Sequence, residues 1–518
     1  MILHDLLERG AMRYGDKPAV IFKGKKLTYN QLKEEAEKIA LSLLSLGMKK
    51  GDHIAVWMPN NDSYLPVYFG ITAIGAVMVP MNTRYRTNEA SYILKNSDAR
   101  TIFMVPKFLK VDYLDMLNRI IPELEKLEYA IIVDGKDDID MNVKSIPFSK
   151  FISYGKGNDI SDFVNGVEEN DISQILYTSG TTGKPKGVML THKNVCTNAV
   201  VTGEIMEVTP DDRYFIPLPI FHSFGLVLGC LTPLAFGSSI VLQDIFDAGE
   251  ALHLMQKYEC TMNFGVPTMF AMELEEFRKG GYSLKLRSGM MGGAPCPVEV
   301  VKGVRAEMGC DVCIGYGITE TSPLISLTRY DDDNARRTES VGKPLPGVDV
   351  KVVDEARKEL PHGSIGEIAV RGNVMKGYYK MPEETKKAVD GEGWYYSGDL
   401  GKIDEHGYVY ITGRKKDMIV VGGFNVYPRE VEELLFVHPK VKNVAAVGVP
   451  DNKLGEAVKV FVIPDGEVKE EEIKEFCKQS IANFKVPKYV EFIDEFPITA
   501  SGKIQKYKLR EKHGSSKQ

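Results

Sequence analysis

Between positions 177 and 187 the chain reads Tyr-Thr-Ser-Gly-Thr-Thr-Gly-Lys-Pro-Lys-Gly, directly after the apolar run 172–176. The glycines and hydroxyls therefore fall where a strand ends and the backbone must bend. Glycine lets main-chain N–H groups turn inward at Gly180 and Gly183. The hydroxyls of Thr178, Ser179, Thr181 and Thr182 add donors, and Lys184 and Lys186 add positive charge, a set suited to a polyphosphate. A plain surface turn is the competing reading, and it gives no reason for so many donors. The spacing is not that of the nucleotide-hydrolase P-loop, because Gly183 is followed by Lys184-Pro185 and not by Lys-Ser/Thr. Gly315-Tyr316-Gly317 starts like a dinucleotide fingerprint, but Glu320 stands where the third glycine belongs, and its side chain would block close helix packing. Cys310 and Cys313 form a CxxC without a second pair or a nearby histidine, and Val312 and Ile314 give it the look of a buried strand. His192 and His222 are too few for a metal cluster.

These residues need a scaffold, and the rest of the chain reads as α/β. At 518 residues the chain exceeds one compact core, which predicts a large unit and a smaller one. The net charge of -6 supplies no field for a nucleic-acid backbone, so nucleic acid is excluded as a partner. Seven scattered cysteines make no disulfide framework, and the charged start lacks the apolar run of a signal peptide; a cytoplasmic location is expected. Residues 63–82 and 214–243 lack charges, but their prolines and glycines fit a buried helix joined to a buried strand better than a transmembrane segment. Thr28 and Gln31 form a capping-box pair ahead of an apolar stripe from Leu32 to Leu43. Short apolar runs at 54–58, 77–80, 101–105 and 130–133 alternate with helical patterns, as buried parallel strands do. Residues 135–170 read as a loop region, 346–412 as a small β subdomain, and the last hundred residues as an α+β unit opened by Pro428. The charged turn at 413–417 is the expected boundary, giving units 1–413 and 414–518.

Further landmarks follow in order: Pro219-Ile220-Phe221-His222-Ser223-Phe224-Gly225, Gly292-Gly293-Ala294-Pro295, and Tyr316-Gly317-Ile318-Thr319-Glu320-Thr321. After them come Tyr395-Tyr396-Ser397-Gly398-Asp399-Leu400, Gly413-Arg414-Lys415-Lys416-Asp417 and Pro497-Ile498-Thr499-Ala500-Ser501-Gly502-Lys503. Together with the 177–187 stretch, this series resembles the adenylate-forming superfamily of acyl-CoA synthetases, luciferases and peptide-synthetase adenylation domains. The resemblance spans nearly the whole chain. It implies a large α/β N-terminal domain with an attached β subdomain, and a small mobile α+β C-terminal domain.

It also implies roles. Thr178 to Gly183 and Lys186 would cradle the ATP phosphates. Tyr316, between Gly315 and Gly317, resembles the aromatic that stacks on adenine, with Gly293, Ala294 and Pro295 as the opposite wall and Thr319 close by. Asp399 resembles the carboxylate that binds the ribose hydroxyls, and Arg414 the second ribose contact. Glu320 resembles the Mg²⁺ ligand, since a hard cation favours carboxylate oxygen. Lys503 matches the catalytic lysine that reaches both the substrate carboxylate and the α-phosphate, and His222 the residue that gates the acyl pocket. Lys416 falls on the hinge about which the C-terminal domain turns to present Gly422 and Gly423 to the thiol.

The resemblance thus implies an ATP- and Mg²⁺-dependent ligase that forms an acyl-adenylate and transfers the acyl group to coenzyme A. Phe224, Leu226, Val227, Val266, Met290 and Met291 point to a hydrophobic acid, a medium- or long-chain fatty acid, with an aryl acid as the alternative. No Gly-Gly-x-Ser carrier signature is visible, which favours free CoA over a stand-alone enzyme loading a carrier protein. A regulator that binds nucleotide without catalysis is the reading from another class, and Lys503, Glu320 and Asp399 count against it. The oligomeric state stays open, a homo-oligomer included.

Overall fold

The computed structural model describes residues 1–135, 141–157, 159–178, 184–499, 502 and 504–515. The capping box closes as expected: Thr28 Oγ1 accepts from the Gln31 N–H at 3.2 Å, and Gln31 Oε1 accepts from the Thr28 N–H at 2.9 Å. Helix Tyr29–Ser45 follows, with Leu32, Ala36, Ile39, Ala40 and Leu43 buried along one face. Both uncharged stretches lie in the core. Residues 63–82 fold as the fully buried helix Tyr64–Ala73 and the strand Val77–Pro80. Residues 214–243 give the strand Arg213–Ile216, a π-helix Phe224–Leu231 and the strand Ser239–Leu242. Among the described residues no helix is long and apolar enough to cross a membrane.

Two large, mainly parallel sheets share one continuous apolar core. In the eight-stranded sheet, Ile172–Thr178 pairs in parallel with Val77–Pro80, beyond which lie His53–Trp57, Thr101–Met104, Tyr129–Ile132 and Lys144–Pro147. On its other side Ile172–Thr178 pairs antiparallel with Lys186–Thr191, so Thr178 stands at the carboxyl end of a strand paired in parallel. In the nine-stranded sheet the strands Met262–Gly265, Ser288–Gly292 and Asp311–Gly317 run parallel. Their register sets Gly292 opposite Gly315, where a Cβ on Gly292 would meet the Gly315 carbonyl oxygen at 2.7 Å. Both strands therefore deliver their ends, Gly293 and Gly317, to the same place.

The expected β subdomain is a four-stranded antiparallel sheet of Asp349–Val353, Gly366–Arg371, Tyr395–Ile403 and Val409–Arg414. A further sheet gathers Ile419–Val421, Phe424–Val426, Val441–Asp451, Gly455–Pro464 and Tyr489–Phe492, with helices Pro428–Phe436 and Glu470–Ser480 alongside. It has apolar clusters of its own, around Val431 and Val460 and around Phe461 and Leu509. One expectation is corrected. Residues 135–170 are not only loop: they contain the strand Lys144–Pro147 and the short helices Phe148–Ile152 and Ser161–Asn165. Their polar composition masked them because the strand is an edge strand and the helix Ser161–Asn165 buries no residue.

Candidate active site

A cleft of about 1460 Å³ opens where these strand ends meet the β subdomain and the C-terminal segment. Of the site residues singled out in the sequence that fall among the described residues, most line it: Thr178, Lys186, His222, Gly293, Gly315, Gly317, Thr319, Glu320, Asp399, Arg414 and Lys416. Ser179, Gly180, Thr181, Thr182, Gly183 and Lys503 lie outside the described residues. The neighbours of Lys503 are informative, since Ile498, Thr499, Gly502 and Gln505 all line the cleft. The Gly502 carbonyl accepts from Thr268 Oγ1 at 3.5 Å, which lays this C-terminal loop against the helix Pro267–Arg278.

The polar floor is built on Asp399. Only 5% exposed, its carboxylate accepts from the Tyr316 hydroxyl at 2.8 Å and faces Arg414 Nε at 3.2 Å. Strand register forces the second contact, because Asp399 and Arg414 are direct partners across Tyr395–Ile403 and Val409–Arg414. Ser397 Oγ accepts from the Asp399 N–H at 3.0 Å, and Glu367 accepts from the Gly398 N–H at 3.0 Å, which fixes the turn. Tyr316 is buried behind this floor and does not itself line the cleft, and burial raises its phenol well above the usual range. Ala294 and Pro295 also stand back from the lining, with Gly293 in it at φ +80.

Glu320 sits on the same wall. Its Oε1 accepts from the Tyr378 hydroxyl at 3.0 Å, and burial pushes its carboxyl above the usual range, opposed by Tyr378 and the Arg414 charge and reinforced by Asp399. Lys186 Nζ lies 5.0 Å from the centre of the Tyr378 ring and 2.6 Å from Glu384 Oε2. Lys416 faces the cleft with its ammonium lowered by burial and by the nearby Arg414. Gly422 and Gly423 form the two-residue turn between Val421 and Phe424, both at positive φ, and lie away from the cleft.

His222 Nδ1 accepts from the Phe224 N–H at 3.2 Å. The π-helix begins at once, and Gly225 permits it: a Cβ there would stand 2.3 Å from the Pro219 carbonyl oxygen. Ser223 Oγ lies 3.5 Å from Thr319 Oγ1, joining the histidine loop to the Glu320 loop. Of the apolar residues expected at an acyl pocket, Phe224 and Met290 line the cleft and Val266 lines a small void beside it. Leu226, Val227 and Met291 are packed into the core and line neither. Sequence reasoning missed Tyr378, Glu384 and Lys387, which line the cleft, because their partners lie far off in the chain. His192 is a core residue whose Nδ1 accepts from the Leu3 N–H, and among the described residues no cluster of three or more metal-ligating side chains occurs.

The profile of the AMP-binding enzyme family matches residues 7–379, and that of the AMP-binding enzyme C-terminal domain matches 430–503. YngI of Bacillus subtilis (strain 168) is 42% identical over 536 residues, spanning 98% of this chain and 96% of its own. The human mitochondrial medium-chain acyl-CoA ligase ACSF2 is 34% identical over 530 residues, spanning 98% of this chain and 86% of its own. Among solved structures, the anthranilate CoA ligase AuaEII in complex with anthranoyl-AMP superposes with a TM-score of 0.90 at 28% identity, covering 100% of this chain and 98% of that one. The chain therefore belongs to the AMP-binding enzyme family and is an acyl-CoA ligase that uses ATP and coenzyme A.

Proposed function

We propose that the acid is a medium- or long-chain fatty acid, activated as acyl-AMP and passed to CoA. The observation that carries this reading is the apolar part of the cleft lining, which includes Phe221, Phe224, Leu228, Met269, Met272 and Met290. An alkyl chain entering there gains about 0.8 kcal/mol per buried methylene, whereas a short acid gains little. The resemblance over 98% of the chain to a ligase named for medium-chain acids supports the same assignment.

In this reading the acid's carboxylate attacks the α-phosphorus of ATP, forming acyl-AMP and releasing pyrophosphate. Thr178, Lys186 and the turn between them bind the phosphates, and Lys503 neutralises charge that builds on the reacting oxygens. Asp399 and Arg414 hold the ribose, and Gly293, Gly315, Tyr316, Gly317 and Thr319 shape the base side. Glu320, a hard oxygen donor at the polar wall, fits a Mg²⁺ ion, which when bound offsets phosphate charge. His222 guards the entrance to the apolar part. In the second step the thiol displaces AMP. The C-terminal domain, counted from residue 414, turns on Lys416 between the steps, withdrawing Lys503 and bringing Gly422 and Gly423 to the thiol.

Straight-chain acids of increasing length, assayed by AMP release with CoA, should show kcat/KM rising to an optimum at medium or long chains; an optimum at acetate or at a benzoate overturns the substrate assignment. Lys503→Ala should nearly abolish ATP–pyrophosphate exchange yet leave thioester formation from supplied acyl-AMP largely intact, and equal loss of both half-reactions would contradict the two-state reading. Glu320 must be ionised to hold the cation, so activity falls as pH drops through its raised pKa. Tyr378→Phe removes a hydrogen bond that favours the ionised form. The acidic limb of kcat/KM for MgATP should therefore move to higher pH, and a limb that stays in place or moves lower contradicts the assignment of Glu320.

A further inference from the structure

Lys186 opens the strand Lys186–Thr191, and the short strand Gly377–Tyr378 pairs with it through Val188 and Tyr378. The helix Pro382–Ala388 follows directly, and Thr385 anchors it: Thr385 Oγ1 accepts from the Tyr378 N–H at 2.9 Å and donates to the Met381 carbonyl at 3.0 Å. This fixes the first helical turn over Lys186. Glu384, in that turn, then holds two ammonium groups with its two oxygens, Lys186 on Oε2 at 2.6 Å and Lys387 on Oε1 at 2.7 Å. All three side chains line the cleft. Lys186 and Lys387 hold the Glu384 carboxyl down at about 2, so it is an anion throughout the working range.

A triphosphate that contacts Lys186 thus meets a carboxylate already on that lysine. The arrangement makes exchange easy in one respect: a Glu384 that releases Lys186 keeps Lys387, so no unpaired anion is left facing the phosphates. We propose that Glu384 is a resident competitor of ATP for Lys186, and that this exchange of ion pairs sets the affinity for the nucleotide. Glu384 is a positioning residue in this scheme, acting through Lys186 and touching no reacting atom. The inference rests on the reading of Lys186 as a phosphate contact.

The test is ATP–pyrophosphate exchange against MgATP concentration for Lys186→Ala, Glu384→Gln, Lys387→Met and the double variant Glu384→Gln/Lys387→Met, with melting temperatures to establish folding. Partly exposed ion pairs of this kind correspond to about a two- to fivefold effect. Glu384→Gln should lower the KM for MgATP by about that factor, with the KM for the acid unmoved. Lys387→Met should raise the KM for MgATP in the natural background, because Glu384 then grips Lys186 alone, and should have no effect in the Glu384→Gln background. If Lys186→Ala raises the KM for MgATP while Glu384→Gln leaves it unchanged or raises it, the competitor role is overturned and the phosphate contact stands. Equal effects of Lys387→Met in both backgrounds also overturn it, as a general field effect. A Lys186→Ala variant with unchanged KM for MgATP overturns the phosphate contact and the competitor role with it.

Discussion

A carboxylate that is 5% exposed must be paired, and the pairing of Asp399 organises the cleft. Its partners are Tyr316, at the end of a strand in the nine-stranded sheet, and Arg414, at the end of the β subdomain. An unpaired buried carboxylate costs several kcal/mol, so the node is stable only when both segments arrive together. That requirement ties the large sheet to the subdomain at the point where the chain turns towards its C-terminal sheet. The Gly292–Gly315 register serves the same end, since a Cβ on Gly292 would collide with the Gly315 carbonyl and one on Gly315 would crowd Leu324 and Met290.

The cleft is mixed in its chemistry. Its lining holds carboxylates, a hydroxyl and cations from Thr178, Lys186, Glu320, Asp399 and Arg414, and also phenylalanines and methionines such as Phe221, Phe224, Met269 and Met290. An acyl phosphate anhydride has the same two characters, one polar half and one apolar half. From the C-terminal unit, Ile498, Thr499, Gly502 and Gln505 reach the same cleft. Other contacts between the C-terminal sheet and the rest of the chain are polar: Lys442 with Glu275, and Arg429 with the Ile411 carbonyl.

Much of this was legible in the sequence, for local reasons. Alternating buried strands and helices announced the α/β core, and Thr28 with Gln31 announced a helix start, because capping and periodicity depend on neighbours a few residues apart. Glycine-rich strand ends marked the cleft for the same reason. What stayed hidden depends on tertiary partners. Nothing near Tyr378 indicates that its hydroxyl reaches Glu320, 58 positions earlier, and nothing near Glu384 indicates Lys186, 198 positions earlier. The π-helix after His222 was hidden because uniformly apolar residues give no periodicity to read. The short elements between 144 and 165 were hidden because a polar edge strand and an exposed helix look like loop.

We propose that Asp399, held by Tyr316 and Arg414, anchors the nucleotide. Calorimetric titration of ATP into Asp399→Ala tests it most directly, with a melting curve to confirm that the variant is folded. A hydrogen bond to a charged acceptor contributes about 1.5–3 kcal/mol, so the dissociation constant for ATP should rise roughly ten- to hundredfold. A folded Asp399→Ala protein that binds ATP as tightly as the natural chain would contradict the account.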